Sequence, residues 1–145
     1  MTYYAVIDTN VIVSSMLKTD SIPGSIINCV NTNTIIPLLS DEIINEYVDV
    51  LTRNKFDIDN NKVSQLISLF YEKGIFLKRE QTLEDFIDQD DIVFYEIVMS
   101  ARNTMDAYLV TGNMKHYPIR NYIVTPREMI EIIEKDQTKA NLNNL

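Results

Sequence analysis

Apolar residues come in short runs that alternate with stretches of helical spacing, and this rhythm repeats along most of the chain. The first run, residues 3–8, ends in Asp8 and reads as a strand. Val11, Ile12, Val13, Met16 and Leu17 then recur as one face of a helix from about Asn10 to Lys18. Ser21-Ile22-Pro23-Gly24 breaks the pattern, and Pro23 suits the first turn of a second helix to about Thr32. Thr34–Leu38 predicts a second strand, which Pro37 assigns to an edge or a strand end. Ser40 caps a third helix to about Leu51, with Asp41 and Glu42 in its positive first turn.

A loop over residues 52–57 tucks in Phe56. A fourth helix starts at Asn60 or Asn61 and stops at Gly74, a residue that commonly ends helices. Ile75–Leu77 is a third strand, followed by a polar, acidic stretch to Asp90. The fifth helix, Asp91 to about Arg102, is apolar almost all round and so is expected at the centre of the molecule. Residues 107–110 and 121–124 are the remaining strands. Thr125-Pro126-Arg127-Glu128 then combines a capping box with proline at the first helical position. After Lys135 the chain turns polar and Asn-rich, and fraying is expected there. Regular alternation of strand and helix predicts an α/β fold with a parallel sheet of about five strands, covered by helices on both faces. The expected organisation is one domain over residues 1–135 and a polar tail over 136–145.

Composition narrows the classes. An apolar fraction of 46% in 145 residues suffices for one ordinary core. No apolar run approaches the ~20 residues that cross a bilayer. The opening Met-Thr-Tyr-Tyr has no basic segment ahead of an apolar one, so no leader peptide and a cytoplasmic location are expected. The single Cys29 provides neither an internal disulfide nor a zinc framework, and its apolar helical setting suits an inert thiol. Thirteen basic against twenty-one acidic residues give a net charge of −8, which argues against a broad nucleic-acid surface. Local basic pairs remain: Arg53 with Lys55, Lys78 with Arg79, Lys115 with His116. An acidic protein also suits a basic protein partner.

The candidate chemistry lies where strands end and helices begin. Asp8 follows a fully apolar strand, a position at the carboxyl edge of a sheet where α/β folds place their sites; the competing role is a helix cap. Glu46 borders the apolar arc of the third helix, about 40° beyond Val50. Asp91 opens the central helix, where a carboxylate needs a partner or a cation, and Asp88 and Asp90 compete with it as caps. Thr111-Gly112-Asn113 turns after the fourth strand and offers a neutral oxygen to the same edge. Converged, these oxygens would suit a hard divalent cation.

Taken in order, Asp8-Thr9-Asn10-Val11, Glu46 within Ser40–Tyr47, Asp88–Asp91, Thr111-Gly112-Asn113 and Thr125–Glu128 resemble the PIN-domain family over residues 1–135. The likeness is greatest to PIN proteins classed as toxins of toxin–antitoxin pairs, in which a first-strand Asp-Thr-Asn and a late segment like Thr111–His116 are familiar. The resemblance implies a ribonuclease dependent on Mg²⁺ or Mn²⁺. It implies Asp8, Glu46 and Asp91 as catalytic acids and cation ligands, with Asn113 as a further ligand. It also implies that Thr9, Asn10, Thr111, Lys115 and His116 face the RNA. An antitoxin partner and a homodimer belong to the same expectation. One departure stands out: the family's fourth acid is Asn113 here, which keeps an oxygen but drops a charge. His116 is expected to shape the rim or touch a phosphate, not to carry a proton. The alternative is a PIN-like module that binds RNA or protein without turnover. A flap-threading DNA nuclease lacks its extra segments here. A phospho-receiver lacks acids in Ile36–Leu39, and an Asp-x-Asp phosphatase lacks the second acid after Asp8.

Overall fold

The computed structural model of the protein describes residues 1–86 and 88–144. Five strands form one parallel sheet: β1 (Tyr3–Ile7), β2 (Ile35–Leu39), β3 (Ile75–Phe76), β4 (Ala107–Val110) and β5 (Ile123–Val124), in the order β3-β2-β1-β4-β5. Among the described residues six α-helices accompany it: α1 (Thr9–Leu17), α2 (Ile22–Asn31), α3 (Asp41–Leu51), α4 (Asn60–Lys73), α5 (Asp91–Ala101) and α6 (Pro126–Asn143). Successive side chains of a strand point to opposite faces, yet Ala5, Val6 and Ile7 are all fully buried, as are Leu109 and Val110. Both faces of the sheet are therefore covered, the three-layer α/β arrangement expected from the alternating pattern.

Local chemistry sets the boundaries. Ser21 accepts from the Gly24 N–H at 3.1 Å and Ser40 from the Ile43 N–H at 3.2 Å, satisfying donors that begin α2 and α3. At α6, Thr125 and Glu128 exchange reciprocal bonds in the expected capping box. Gly74 ends α4 where a Cβ would come within 2.4 Å of Leu39 Cδ1.

Three expectations need correction. Pro37 is buried in β2, which has neighbours on both sides; β3 reaches only Leu38 and Leu39, so at Pro37 the strand faces β1 alone and needs no second set of bonds. Helix α6 runs to Asn143, well beyond Lys135; Asp136 on it accepts from the Tyr3 hydroxyl at 2.7 Å, tying its second half to the start of β1. Helix α5 is not wholly apolar in its buried face, because Glu96 is only 4% exposed. Its carboxylate accepts from Arg79 Nε at 2.8 Å and from the Thr82 N–H at 2.6 Å, and Arg79 reaches on to Glu42 of α3 at 2.6 Å. That network straps the segment after β3 across α3 and α5.

The sheet order also locates a crevice. The chain leaves β1 toward β2 on one side, while β4 lies on the other side of β1. Connections diverge at the carboxyl ends of β1 and β4, and such a divergence opens a cleft between them.

Candidate functional site

Asp8 stands at that point, one residue past β1, and its N–H donates to the Val110 carbonyl at the end of β4 (2.9 Å). The cap bond and the contacts across the sheet edge use different oxygens. Oδ1 accepts the Thr9 N–H at 2.8 Å and caps α1. Oδ2 accepts from Asn10 Nδ2 at 3.2 Å, Thr111 Oγ1 at 2.8 Å and the Tyr117 hydroxyl at 3.0 Å.

Asp91, at the first turn of α5, meets the same hydroxyl: Tyr117 lies 3.4 Å from Asp91 Oδ1. Its other oxygen is 2.9 Å from His116 Nδ1. Two carboxylates far apart in sequence thus share one tyrosine hydroxyl at the carboxyl edge of the sheet. Asp88 and Asp90 stay outside, exposed; Asp88 Oδ1 accepts the Asp90 N–H at 3.0 Å, and Asp90 makes no side-chain cap bond.

Electrostatics couples a third acid to the pair. Burial pushes the Asp8 carboxyl above its ordinary range, against the four hydrogen bonds that pull it down. Asp91 is raised by burial and then by the Asp8 charge, with His116 opposing. Glu46, half-buried on α3, is raised by burial, then by Asp90 and Asp49, and also by Asp8, while Arg53 opposes. The acids repel one another, and a cation among them would relieve that repulsion. Among the described residues, however, no three Asp, Glu, His or Cys side chains are drawn together closely enough to form a ready-made cation cage. Glu46 is within electrostatic reach of Asp8 but shares no contact with it.

Asn113 is not brought onto the acids. It is exposed, and among the described residues its part in the site is a backbone bond, N–H to Thr111 Oγ1 at 3.0 Å. The three residues expected to face RNA beside Asp8 are also turned inward. Asn10 clamps the turn, its Oδ1 accepting the Gly112 N–H at 2.9 Å while its Nδ2 holds Asp8. Thr111 is fully buried and donates to Asp8. Thr9 Oγ1 is buried without a partner among the described residues. Asn10 and Thr111 lie against the carboxylate because a buried charge collects donors, and Thr9 reaches it through its N–H alone. Lys115 is exposed, and His116, at 36% side-chain exposure, lies at the rim.

Two residues escaped the sequence reading. Tyr117 joins the acids through the turn that follows β4; its position one residue after His116 was the only signal. Glu96 was hidden by the apolar character of its helix.

Residues 4–115 match the family model described as PIN domain. The uncharacterized protein MJ1680 of Methanocaldococcus jannaschii is similar over nearly its whole length, 25% identical across 145 aligned positions that cover 90% of this chain and 91% of its own. No helix among the described residues is long and apolar enough to cross a membrane.

Proposed function

The chain belongs to the PIN-domain family, and from that premise we propose that it is a divalent-metal-dependent endoribonuclease whose site is the Asp8–Asp91 edge. The observation that carries the reading is the shared hydroxyl: Asp8 and Asp91 lie close enough to bond the same atom. The donor set fits a hard cation. It consists of carboxylate oxygens, Asp8 raised by burial and Asp91 by burial and the Asp8 charge, and it contains no thiolate.

Asp8 and Asp91 would hold Mg²⁺ or Mn²⁺, Glu46 would complete the charge, and Asn113 would add a neutral oxygen after a turn of its side chain. When bound, such an ion polarises a phosphodiester and lowers the pKa of a bound water. The chain's own residues do the rest. Asn10, Thr111 and the Thr9 N–H fix the Asp8 rotamer. Lys115 and His116 flank the opening, where RNA phosphates would pass; His116 Nδ1 is engaged with Asp91, so a phosphate contact would use Nε2. The family resemblance extends this proposal to a toxin held by an antitoxin, to a homodimer and to the cytoplasm. The identity of the ion and the RNA target belong to the same proposal.

A second reading, a PIN-like module that binds without cleaving, is favoured by one observation: the acids do not form a closed three-ligand cage. Incubating an RNA panel with Mn²⁺ and the wild type, Asp8→Asn and Asp91→Asn separates the two. The nuclease reading expects cleavage by the wild type and a loss of about 100-fold or more in each variant. RNA binding without cleavage in all three would establish the binding module instead.

A further inference from the structure

Asp8 Oδ2 has no lone pair to spare, whereas Oδ1 keeps one beside the Thr9 bond. A carboxylate offers about four acceptor sites, two per oxygen. Four donors already address this one: the Thr9 N–H on Oδ1, and Asn10, Thr111 and Tyr117 together on Oδ2. Oδ2 therefore receives three donors for two sites. The Tyr117 hydroxyl has one proton and two carboxylate neighbours, at 3.0 Å and 3.4 Å, so it can satisfy only one at a time.

We propose that the Tyr117 hydroxyl is a placeholder for the cation: it stands between Asp8 and Asp91, and a divalent ion must displace it to bind. The inference rests on the metal reading of this edge. Of the four donors, Asn10 and Thr111 are locked by second bonds, to the Gly112 N–H and the Asn113 N–H, and the Thr9 N–H belongs to the helix backbone. Tyr117 holds the acids by its hydroxyl only, with no further side-chain bond among the described residues. Its segment is held by local turn bonds, His116 N–H to Asn113 O at 3.0 Å and Tyr117 N–H to Met114 O at 3.3 Å, not by a strand ladder. Its ring is buried and meets Phe86 edge-on, centroids 6.0 Å apart, so displacing the hydroxyl asks for a shift of the ring and its turn, not of a strand. The hydroxyl is a neutral donor that spreads little charge, whereas a divalent ion neutralises both acids; the exchange favours the ion but is opposed by the bonds that Tyr117 gives up.

The test is Mn²⁺ affinity by calorimetry for the wild type, Tyr117→Phe and Asp8→Asn. It is paired with Mg²⁺ titration of wild-type protein carrying ¹³Cζ-labelled tyrosine, the Tyr117 signal being identified by its absence from Tyr117→Phe. The expected results are about tenfold tighter Mn²⁺ binding in Tyr117→Phe, equivalent to about 1.4 kcal/mol, and a Tyr117 signal that moves with Mg²⁺. Equal or weaker binding by Tyr117→Phe, or a Tyr117 signal that stays fixed while Mg²⁺ binds, would overturn the placeholder. If Asp8→Asn still abolishes binding in that case, the metal site stands without it. Absence of Mn²⁺ binding in both wild type and Tyr117→Phe would sink the placeholder and the metal reading together.

Discussion

Glu46 illustrates how much of this site's behaviour follows from single charges. Burial and neighbouring acids raise its pKa above the ordinary 4.5, so the folded state holds the proton more tightly than the unfolded one. The associated stability is present in full below that ordinary value and is lost as pH rises through the folded value. At neutral pH the ionised Glu46 therefore weakens the metal-free fold. In EDTA, Glu46→Gln should melt above the wild type at pH 7, and the gain should vanish on acidification below about pH 4. An unchanged melting difference across that range would contradict the assigned cause. Asp8 was legible in the sequence because an apolar run ended in it. Tyr117 was not legible, since only tertiary structure brings its hydroxyl to Asp8 across the sheet edge. That Asn10 and Thr111 donate to Asp8 was not legible for a related reason: sequence shows that a polar side chain is near an acid, but not what it bonds.

Among the elements, α5 combines two functions that its composition hides. Its first turn presents Asp91 to the cleft, and its middle buries Glu96 against Arg79 and the Thr82 N–H. The salt bridge is asymmetric, with the Glu96 side chain 5% exposed and that of Arg79 40% exposed, so solvent screens one partner and the carboxylate depends on the bonds it accepts. Glu96→Ala removes those bonds and should cost about 2–3 kcal/mol in urea denaturation, with the strap over residues 79–84 becoming more accessible to protease. A loss within 0.5 kcal/mol, roughly that of a surface change, would show that the strap is held by other contacts. Apolar periodicity identified α5 as central, and caps identified the starts of α2, α3 and α6, because those signals are local. The length of α6 escaped because its polar second half is held by Asp136 accepting from Tyr3, a contact with no local signature.

In the whole molecule, strand order does what no single motif could. The parallel sheet β3-β2-β1-β4-β5 sets the carboxyl ends of β1 and β4 side by side at a divergence of connections. Asp8 and Thr111 leave from those ends, and α5 brings Asp91 to them. Alternation of elements was enough to anticipate the α/β sheet, because each run of five or so apolar residues needed cover on both faces. Alternation did not anticipate how far the acids converge: Asp8 and Asp91 meet, Glu46 is coupled through charge, and Asn113 stays outside. If, as proposed, RNA contacts are confined to a small rim of Lys115 and His116, a net charge of −8 is no obstacle, and salt should weaken RNA binding only modestly for so few phosphate contacts. The most direct test of the central claim is anomalous diffraction from crystals grown with Mn²⁺. A peak in contact with both Asp8 and Asp91 is the predicted result; full Mn²⁺ occupancy elsewhere, or none at this edge, would contradict it.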